Sequence, residues 1–406
     1  MDSISKFKHL AENAVLEPAE ETSLRPAPQL APCGIPLTDQ TPNRQPPISK
    51  QTQAASLHKD LGIHHAKMPG GKTIPLLKTM LTSACERNCY YCPFRAGRSG
   101  RRVTFKPEEM AQSFMDLYRA GVVEGIFLSS GIIKGSINTQ ERLNITAEIL
   151  RKKHHFGGYI HLKVMPGAEK EQLRQAMRYV NRLSVNLEAP NDKRLALLAP
   201  KKQFLAELVR PLQMIEEIRQ NEPGHMGWNG RWPSTTTQFV VGAVGETDLE
   251  LLSTSEYLYK QVRIARAYFS SFRPVADTPL EHLPPSNRLR EHRLYQTSFL
   301  FRDYGFDLED LPFTQEGNLP LEIDPKLAWA QSHLQDNPVE LNRAERQELL
   351  RIPGIGPWGA DSILSARRVG TLRDIDDLRH IGVQTKRLKP FVLLDGKRPT
   401  FQLPLW

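Results

Sequence analysis

Residues Cys85 to Cys92 read C-E-R-N-C-Y-Y-C, so three of the chain's four cysteines fall within eight residues at a C-x3-C-x2-C spacing. An apolar run over residues 74–81 leads into this stretch, and a basic run follows it, with Arg95, Arg98, Arg101 and Arg102. Thiols clustered in this way are typical of a metal centre. We therefore expect a scaffold that holds a metal centre at this loop and brings a nucleic acid to it.

The length and composition of the chain limit the class of protein. Its 406 residues predict about two to three domains, and 39% of them are hydrophobic, which is enough to build apolar cores. No apolar run reaches the ~18 residues of a membrane span, and the N-terminus lacks the apolar core of a signal peptide. Four cysteines, three of them clustered, suit a reducing compartment. We expect a soluble, cytoplasmic protein with no membrane partner.

The charge of the chain points to an anionic partner. The net charge is +9 and the pI is about 9.3, which favours a nucleic acid. A basic protein without such a partner is the alternative. The position of the charge decides between the two, and residues 341–398 carry 12 Lys and Arg against 7 Asp and Glu, a net charge of +5.

Residues 1–58 are predicted to be a Pro-rich, largely disordered tail. Eight of the 31 prolines lie before residue 56, and proline disrupts both helix and sheet. A short helix is predicted over residues 3–15. Cys33 lies in this tail and is interpreted as an incidental thiol; the alternative is that the tail folds over the core and brings Cys33 near the active site.

Six apolar runs alternate with helical patterns between residues 70 and 275. Strands are predicted over residues 74–81, 126–130, 159–164, 183–187, 236–241 and 264–269. Helices are predicted over residues 107–120, 139–153, 168–180, 203–220 and 247–261. This alternation predicts parallel βαβ units. Six units are too few for a closed eight-stranded barrel, so residues 59–275 are expected to form an open α/β barrel of the (β/α)6 type.

Two further segments follow the predicted barrel. Residues 276–340 are predicted to be a helical extension that packs on the barrel, with one helix over residues 286–304. Residues 341–398 are predicted to be a small all-α domain with short helices over residues 343–350, 358–368, 374–379 and 384–392.

Polar residues stand at the ends of the predicted strands. The carboxyl ends of parallel strands share one edge of a sheet, so these residues are expected to line one rim. They are Cys85, Ser129, Ser130, Gly131, Ser184, Asn186, Glu188 and Gly242. Any one of them could be a simple strand-ending turn, but their coincidence on one rim favours a binding site.

The three clustered cysteines favour an iron–sulfur cluster. Cys thiolates hold such clusters, normally four per cluster. A structural zinc site is the alternative, with His64 and His65 as the missing ligands, although its usual pattern is two C-x2-C pairs. A cluster with three protein ligands leaves one iron open, and an open metal position is typical of catalysis.

The C-x3-C-x2-C loop, with Tyr91 before its last cysteine and a predicted barrel strand before its first, resembles the radical S-adenosylmethionine (SAM) superfamily. The resemblance implies a [4Fe-4S] cluster held by Cys85, Cys89 and Cys92, with SAM on the open iron. It implies reductive cleavage of SAM to methionine and a 5′-deoxyadenosyl radical that abstracts a substrate hydrogen. An electron donor such as flavodoxin or ferredoxin is implied as a partner.

The resemblance also implies which residues contact SAM. Ser129, Ser130 and Gly131 match the motif that receives the methionine amino group, although many members have Gly-Gly-Glu there. Ser184, Asn186 and Glu188 match the strand that contacts ribose or carboxylate. Gly242 lies where the backbone usually meets adenine, and Tyr91 belongs to the cluster loop.

A narrower resemblance covers residues 60–398. The segments L-T-S-A-C, I-F-L-S-S-G-I, G-Y-I-H-L-K, L-S-V-N-L-E, L-R-E-H-R-L-Y-Q, D-P-K-L-A-W-A and I-P-G-I-G together resemble bacterial radical SAM proteins assigned to DNA modification or repair. The resemblance implies DNA as the substrate class.

The stretch Ile352-Pro353-Gly354-Ile355-Gly356 resembles the helix-hairpin-helix motif of DNA repair proteins. Glycines in such a turn expose backbone N–H groups, and the following helix adds its partial positive charge, which suits a phosphate. Residues 381–383 and the basic residues after them resemble a second, degenerate copy. The predicted phosphate contacts are Gly354, Ile355, Gly356, Trp358, Gly359, Lys386 and Arg387. Trp358 is expected to pack inward or to stack on a sugar or base.

The leading hypothesis is a radical SAM enzyme that repairs or modifies DNA. One alternative is a DNA-binding protein whose iron–sulfur cluster is structural or redox-sensing. The other is a radical SAM enzyme that modifies RNA. A plain Gly-rich corner between helices is the alternative to a phosphate-binding hairpin.

Overall fold

The computed structural model describes residues 1–13, 60–67 and 72–401. Most of the predicted tail, including Cys33, lies outside these residues. The helix predicted near the N-terminus is present as α1, Ser3–Asn13. Phe7 of this helix is buried and stacks on Phe105 with their ring centroids 5.0 Å apart.

The strands form one open sheet in which they follow each other in chain order. They are β1 Ile63–Lys67, β2 Thr73–Met80, β3 Gly125–Ser129, β4 Tyr159–Lys163, β5 Arg182–Ser184, β6 Ser234–Val241 and β7 Arg266–Ser271. β1 is antiparallel to β2, and β2 to β6 pair in parallel. Sequential order is the arrangement of a barrel-type sheet rather than a doubly wound one. The predicted α/β class with a partial barrel sheet is confirmed.

Helices connect the parallel strands, as the alternating pattern predicts. They are α2 Pro107–Arg119, α3 Ser136–Glu148, α4 Lys170–Met177, α5 Asp192–Leu198, α6 Arg210–Asn221 and α7 Asp248–Gln261. π-helical turns extend α3 at its end and α6 at its start. α7 begins with a capping box, in which the Glu250 N–H donates to the Thr247 hydroxyl and the Thr247 N–H donates to the Glu250 carboxylate.

The remaining elements follow β7 in the chain. They are α8 Arg288–Asp303, α9 Pro325–His333, β8 Val339–Glu340, α10 Arg346–Arg351, α11 Pro357–Ala366, α12 Ile375–His380 and β9 Val392–Leu393. The helix predicted over residues 384–392 is wrong. Pro390 lies in a 3-10 turn, and the chain then becomes extended and Val392 pairs with Val339. Proline has no N–H to continue a helical ladder.

The chain divides into two compact units. The first contains Met1–Asn186, Ala199–Thr236 and Pro274–His282, and the second contains Leu187–Leu198, Thr237–Arg273 and Leu283–Trp406. The metal-binding stretch belongs to the first unit and the glycine hairpins belong to the second. The four-part division inferred from the sequence stays a prediction.

The two faces of the sheet in the first unit differ in polarity. Leu128, Leu162 and Leu183 are neighbours in register on β3, β4 and β5, and all three are buried. Side chains one residue further along point to the opposite face. That face carries Phe127 beside His161, and Lys163 beside Ser184. One face is therefore apolar core, and the other is polar enough to bind a ligand.

Candidate functional site

The cysteine loop is fastened to the loop that follows β3. The Gly131 N–H donates to the Thr82 carbonyl at 2.7 Å, and the Glu86 N–H donates to the Ile132 carbonyl at 2.8 Å. A Cβ atom at Gly131 would lie 2.2 Å from the Ala84 carbonyl oxygen and 3.2 Å from the Cys85 Cβ. Only glycine allows this approach. The Ser129-Ser130-Gly131 motif thus lies directly beside the first cysteine.

The donor atoms of the loop fit an iron–sulfur cluster. Cys89 is buried, Cys85 and Cys92 are half-buried, and the three thiols form no disulfide. The Ile132 N–H donates to the Cys85 Sγ and the Phe94 N–H donates to the Cys92 Sγ, both at 3.4 Å. Hydrogen bonds of this kind to the sulfurs tune iron–sulfur clusters. Cys85, Cys89 and Cys92 would hold the cluster here.

The electrostatics of the thiols agree with this assignment. Burial, and then the neighbouring Cys89 and Cys85 thiolates, raises the pKa of the Cys92 thiol to about 12. Thiolates that disfavour each other's ionisation become stable together when a cation binds them. Lys202 has the opposite influence on the pKa of Cys92, which places a positive charge near this sulfur.

Arginine side chains hold the loop in shape. Arg102 donates to the carbonyls of Ser83, Arg95 and Arg98 at 3.0–3.1 Å. Arg98 donates to the carbonyls of Pro93 and Ala276. Two arginines of the basic run therefore bind protein carbonyls, and their guanidinium groups are engaged in the loop rather than presented as a phosphate guide.

One ion pair at the loop has no signal in the local sequence. Arg87 donates to the Glu207 carboxylate at 2.6 Å, and their side chains are only 18% and 19% exposed. Arg87 also donates to the Lys201 carbonyl. These partners lie more than a hundred residues away along the chain, so neither motif nor periodicity indicates them.

The zinc alternative receives no support from the histidines. His64 and His65 lie on β1 opposite Leu76 and Pro75, which are four and five residues before the end of β2, roughly 13–17 Å along the strand. Burial, with Lys78 and His65 nearby, lowers the pKa of His64 to about 4. Among the described residues no three His, Cys, Asp or Glu side chains converge on one metal ion. Thiolates that each bind a different iron of a cluster need not converge in that way.

The polar face of the sheet offers groups for a polar cofactor. Ser184 on β5 and Thr236 on β6 are register neighbours. Both hydroxyls are buried and have no hydrogen-bond partner within the described residues. An unsatisfied buried hydroxyl costs on the order of 1–3 kcal/mol, which a bound ribose or carboxylate would offset. Asn186 is buried two residues beyond Ser184. Thr236 was not predicted; its signal is the Thr235-Thr236-Thr237 run within a strand.

Glu188 and Gly242 belong to the second unit. Glu188 is buried and adopts a left-handed backbone at φ +66°, which is rare for a residue other than glycine and concentrates at functional sites. Gly242 is at φ +89°, where a Cβ would lie 2.3 Å from the Ser286 Oγ. Its N–H donates to the Glu246 carboxylate. The carbonyl oxygen of Gly242 is therefore the main-chain group with which this residue could contact a ligand.

A buried ion cluster fixes the loop after Gly242. Arg290 donates to the Asp248 carboxylate at 2.7 Å and to the Glu246 carbonyl at 2.7 Å. The side chains of both acids are fully buried, and the Glu246 carboxylate lies 3.5 Å from Arg290. Arg290 therefore positions this loop from inside the second unit.

The two glycine hairpins of the second unit lie against each other. Gly354 is at φ +90°, and a Cβ on it would lie 3.2 Å from the Gln384 carbonyl and 3.5 Å from the Arg387 Cβ. Gly382 is at φ +80° and lies under the indole of Trp358. A Cβ on Gly359 would lie 3.8 Å from Val383. The predicted phosphate contacts thus form one patch, with the basic segment after the second hairpin beside the first hairpin.

The predicted contacts differ in what they can offer a phosphate. The main-chain N–H groups of Gly354 and Gly356 have no partner in the described part of the chain, whereas the Ile355 N–H donates to the Ile352 carbonyl. The Ile355 side chain is buried. Arg387 pairs with Asp324, while Lys386 is exposed and has no carboxylate within ion-pair distance among the described residues.

A half-buried lysine contacts the backbone of the first hairpin. The Lys326 ammonium donates to the Ile355 carbonyl at 2.6 Å and lies 4.5 Å from the Tyr304 ring centroid. Burial lowers the pKa of Lys326 to about 7; Asp324 acts against this shift and Arg387 adds to it. The hydrogen bond at the Ile355 carbonyl fixes the peptide unit that also carries the Gly356 N–H.

Residues 79–258 match the sequence model of the Radical SAM superfamily. The matched segment contains the three cysteines, the loop after β3 and the strands β3 to β6. This segment of the chain is therefore similar to radical SAM proteins. Enzymes of that superfamily use a [4Fe-4S] cluster and SAM, and these are the two cofactors expected from the cysteine loop. No curated protein matches the chain.

Several solved structures are similar to part of this chain. Methylornithine synthase matches at 15% identity over 55% of this chain and 61% of its own, with a TM-score of 0.45. The FeFe-hydrogenase maturase HydG from Carboxydothermus hydrogenoformans matches at 15% identity over 55% and 50%, with a TM-score of 0.44. The methyltransferase TsrM from Kitasatospora setae matches at 14% identity over 54% and 39%, with a TM-score of 0.38. The matches span less than two thirds of each of these chains, and similarity at this level carries no argument about substrate.

The comparisons leave the finer resemblances as predictions. Radical SAM enzymes in general need an electron donor. Within the described ranges, no helix has the length and apolar character needed to cross a membrane.

Gly131→Ala is expected to disturb the cluster loop. The new methyl group would overlap the Ala84 carbonyl, and such overpacking costs about 1–3 kcal/mol and displaces the loop. Iron and sulfide per chain, measured after anaerobic reconstitution, should fall to less than half of the wild-type content. Gly157→Ala is the matched control, because a Cβ there meets nothing within 4 Å. Equal iron content in the two variants would contradict the assigned role of Gly131.

Proposed function

We propose that the protein reductively cleaves SAM and uses the resulting radical on a nucleic acid, with DNA as the substrate, in repair or modification. The cysteine loop of the first unit and the paired hairpins of the second support the two halves of this proposal. The observation that supports the choice of substrate is the patch formed by the hairpins. The Gly354 and Gly356 N–H groups have no partner in the described part of the chain, and the basic segment that contains Lys386 lies beside Gly354.

The cluster, when bound, supplies the electron that splits SAM into methionine and a 5′-deoxyadenosyl radical, which takes a hydrogen atom from the substrate. Cys85, Cys89 and Cys92 would hold it, and Gly131 keeps the loop after β3 against them. Ser184, Thr236 and Asn186 supply polar groups for the cofactor's ribose or carboxylate. Glu188 and Gly242 are proposed for the same cofactor on the strength of the family resemblance.

The cysteine content restricts the reaction class. Enzymes that insert sulfur hold a second cluster with further cysteines, and this sequence has only Cys33 besides the cluster loop. The proposed reaction is therefore hydrogen abstraction from a base or sugar without sulfur transfer. If Cys33 is an incidental thiol, any hydrogen returned to the substrate comes from a group other than a cysteine, such as a tyrosine or SAM regenerated in place.

The hairpin patch is suited to gripping a phosphate backbone. Exposed N–H groups at the start of an α-helix bind anions, and phosphate contacts position a nucleic acid without reading its sequence. The surplus charge of residues 341–398 adds a salt-dependent attraction. The resemblance to DNA repair hairpins favours DNA over RNA. An external one-electron donor, such as flavodoxin or ferredoxin, is proposed as a partner in the cytoplasm.

Cys89→Ala is expected to abolish 5′-deoxyadenosine formation, because it removes one of three thiolates that hold the cluster. The measurement is 5′-deoxyadenosine released by anaerobically reconstituted protein with SAM and dithionite. Cys33→Ala is the matched control and should retain at least half of the wild-type yield. Wild-type protein that yields no more 5′-deoxyadenosine than Cys89→Ala would refute the radical mechanism.

Lys386→Gln is expected to weaken DNA binding at low salt and to make its salt dependence shallower. Loss of one phosphate contact reduces the slope of log K against log salt by about 0.9 on duplex DNA or about 0.7 on a single strand. The measurement is fluorescence anisotropy of a labelled oligonucleotide at several salt concentrations. Lys153→Gln removes the same charge from an exposed site in the first unit. Equal slopes for the two variants would contradict the phosphate patch.

A further inference from the structure

Trp358 is the exposed tryptophan of the described chain. Its side chain is 64% exposed, whereas Trp329 is buried and Trp228 and Trp232 are half-buried. Tryptophan is usually covered in a folded protein because its large apolar ring gains stability from burial. The exposed position of Trp358 beside a basic patch therefore indicates that a ligand covers the indole.

The indole of Trp358 is braced against the second hairpin. A Cβ on Gly382 would lie 2.5 Å from the Trp358 Cη2 and 3.2 Å from its Cζ3. The six-membered ring therefore lies directly on the backbone of Gly382, and its remaining surface faces solvent. A ring held in this way loses little conformational freedom when a ligand binds, which favours affinity.

The position of Trp358 relates the ring to the phosphate patch. Trp358 is the second residue of α11 and lies two residues after Gly356, whose N–H has no partner within the described residues. A strand whose phosphate binds the Gly354 and Gly356 N–H groups would carry its sugar and base past this ring. The free charge of Lys386 and the partial positive charge of the α11 N-terminus both favour a polyanionic strand.

Resting on the proposed nucleic-acid function, we propose that the hairpin module binds an unstacked nucleobase on Trp358, so that its preferred ligand is a single strand or an opened duplex. A base inside an intact duplex has both faces covered by its neighbours. Only a base in a single strand, at a bulge or flipped out of the helix offers a face to an aromatic side chain. The module would thereby select DNA whose target base is already out of the stack.

The test compares Trp358→Ala and Trp358→Phe with wild-type full-length protein. Labelled oligonucleotides of identical sequence are offered as a single strand, as a blunt duplex and as a duplex with one unpaired base. Loss of base stacking costs about 1–3 kcal/mol per base, equivalent to about 5- to 150-fold in affinity. Trp358→Ala should lose this factor on the single strand and on the bulged duplex, and change less than twofold on the blunt duplex. Trp358→Phe should restore most of the affinity.

The outcomes separate this inference from the proposed function. If Trp358→Ala loses affinity only for the single strand, the ligand is a free strand. If it also loses affinity for the bulged duplex, an opened duplex is bound as well. If Trp358→Ala weakens no substrate, or weakens all three equally, while Lys386→Gln weakens all three, the stacking proposal is wrong and the phosphate patch stands. If the wild-type protein and both variants bind the oligonucleotides no more tightly than a protein that does not bind DNA, the nucleic-acid function itself is wrong. Circular dichroism of each variant verifies that it is folded.

Discussion

The close approach of Gly131 to the Ala84 carbonyl is the constraint on which the candidate metal centre depends. The cysteine loop has little regular structure of its own, so its shape comes from what it is tied to. The backbone after β3 forms hydrogen bonds with one side of the loop. Arg102 donates hydrogen bonds to carbonyls within the loop. A side chain at position 131 would push these segments apart. Because Ile132 also donates to the Cys85 sulfur, the same short segment both places the first cysteine and tunes it.

The sheet explains why this segment is available at that place. Parallel strands in sequential order bring their carboxyl ends to one edge, so the loop after β2 and the loop after β3 are neighbours by topology. One face of the sheet is filled by leucines and the other keeps hydroxyl, imidazole and amine groups. Burying polar groups on this face without a ligand costs free energy. Ser184 and Thr236 are the clearest case, because their buried hydroxyls have no hydrogen-bond partner within the described residues. The fold is in this sense arranged for a polar cofactor. The proposed phosphate patch lies within the second unit and depends on different interactions, namely two glycine N–H groups, a helix dipole and Lys386, which have no partner within the described residues.

Features set by local pattern could be predicted from the sequence, and features set by distant contacts could not. Alternation of apolar runs predicted β2 to β7 and the helices between them, although β7 begins at Arg266 rather than at residue 264. The cysteine spacing predicted the metal loop and its neighbour after β3. β1 was missed because a five-residue strand with two histidines has no clear period, and α5 and α9 are too short to stand out.

Arg87 with Glu207, and Arg290 with its two buried acids, depend on folding that brings remote residues together. The basic run after the cysteines was linked to a nucleic acid on the basis of its charge alone. Arg98 and Arg102 of this run donate hydrogen bonds to protein carbonyls.

The most direct test of the account follows a hydrogen atom from nucleic acid into the cofactor product. Anaerobically reconstituted protein would be given SAM, a reductant and DNA that carries deuterium at its carbon-bound positions, and 5′-deoxyadenosine would be analysed by mass spectrometry. The account predicts 5′-deoxyadenosine with one added deuterium, in an amount that depends on the DNA. Formation of 5′-deoxyadenosine without deuterium, in the same amount with and without DNA, would contradict the claim that the radical acts on nucleic acid.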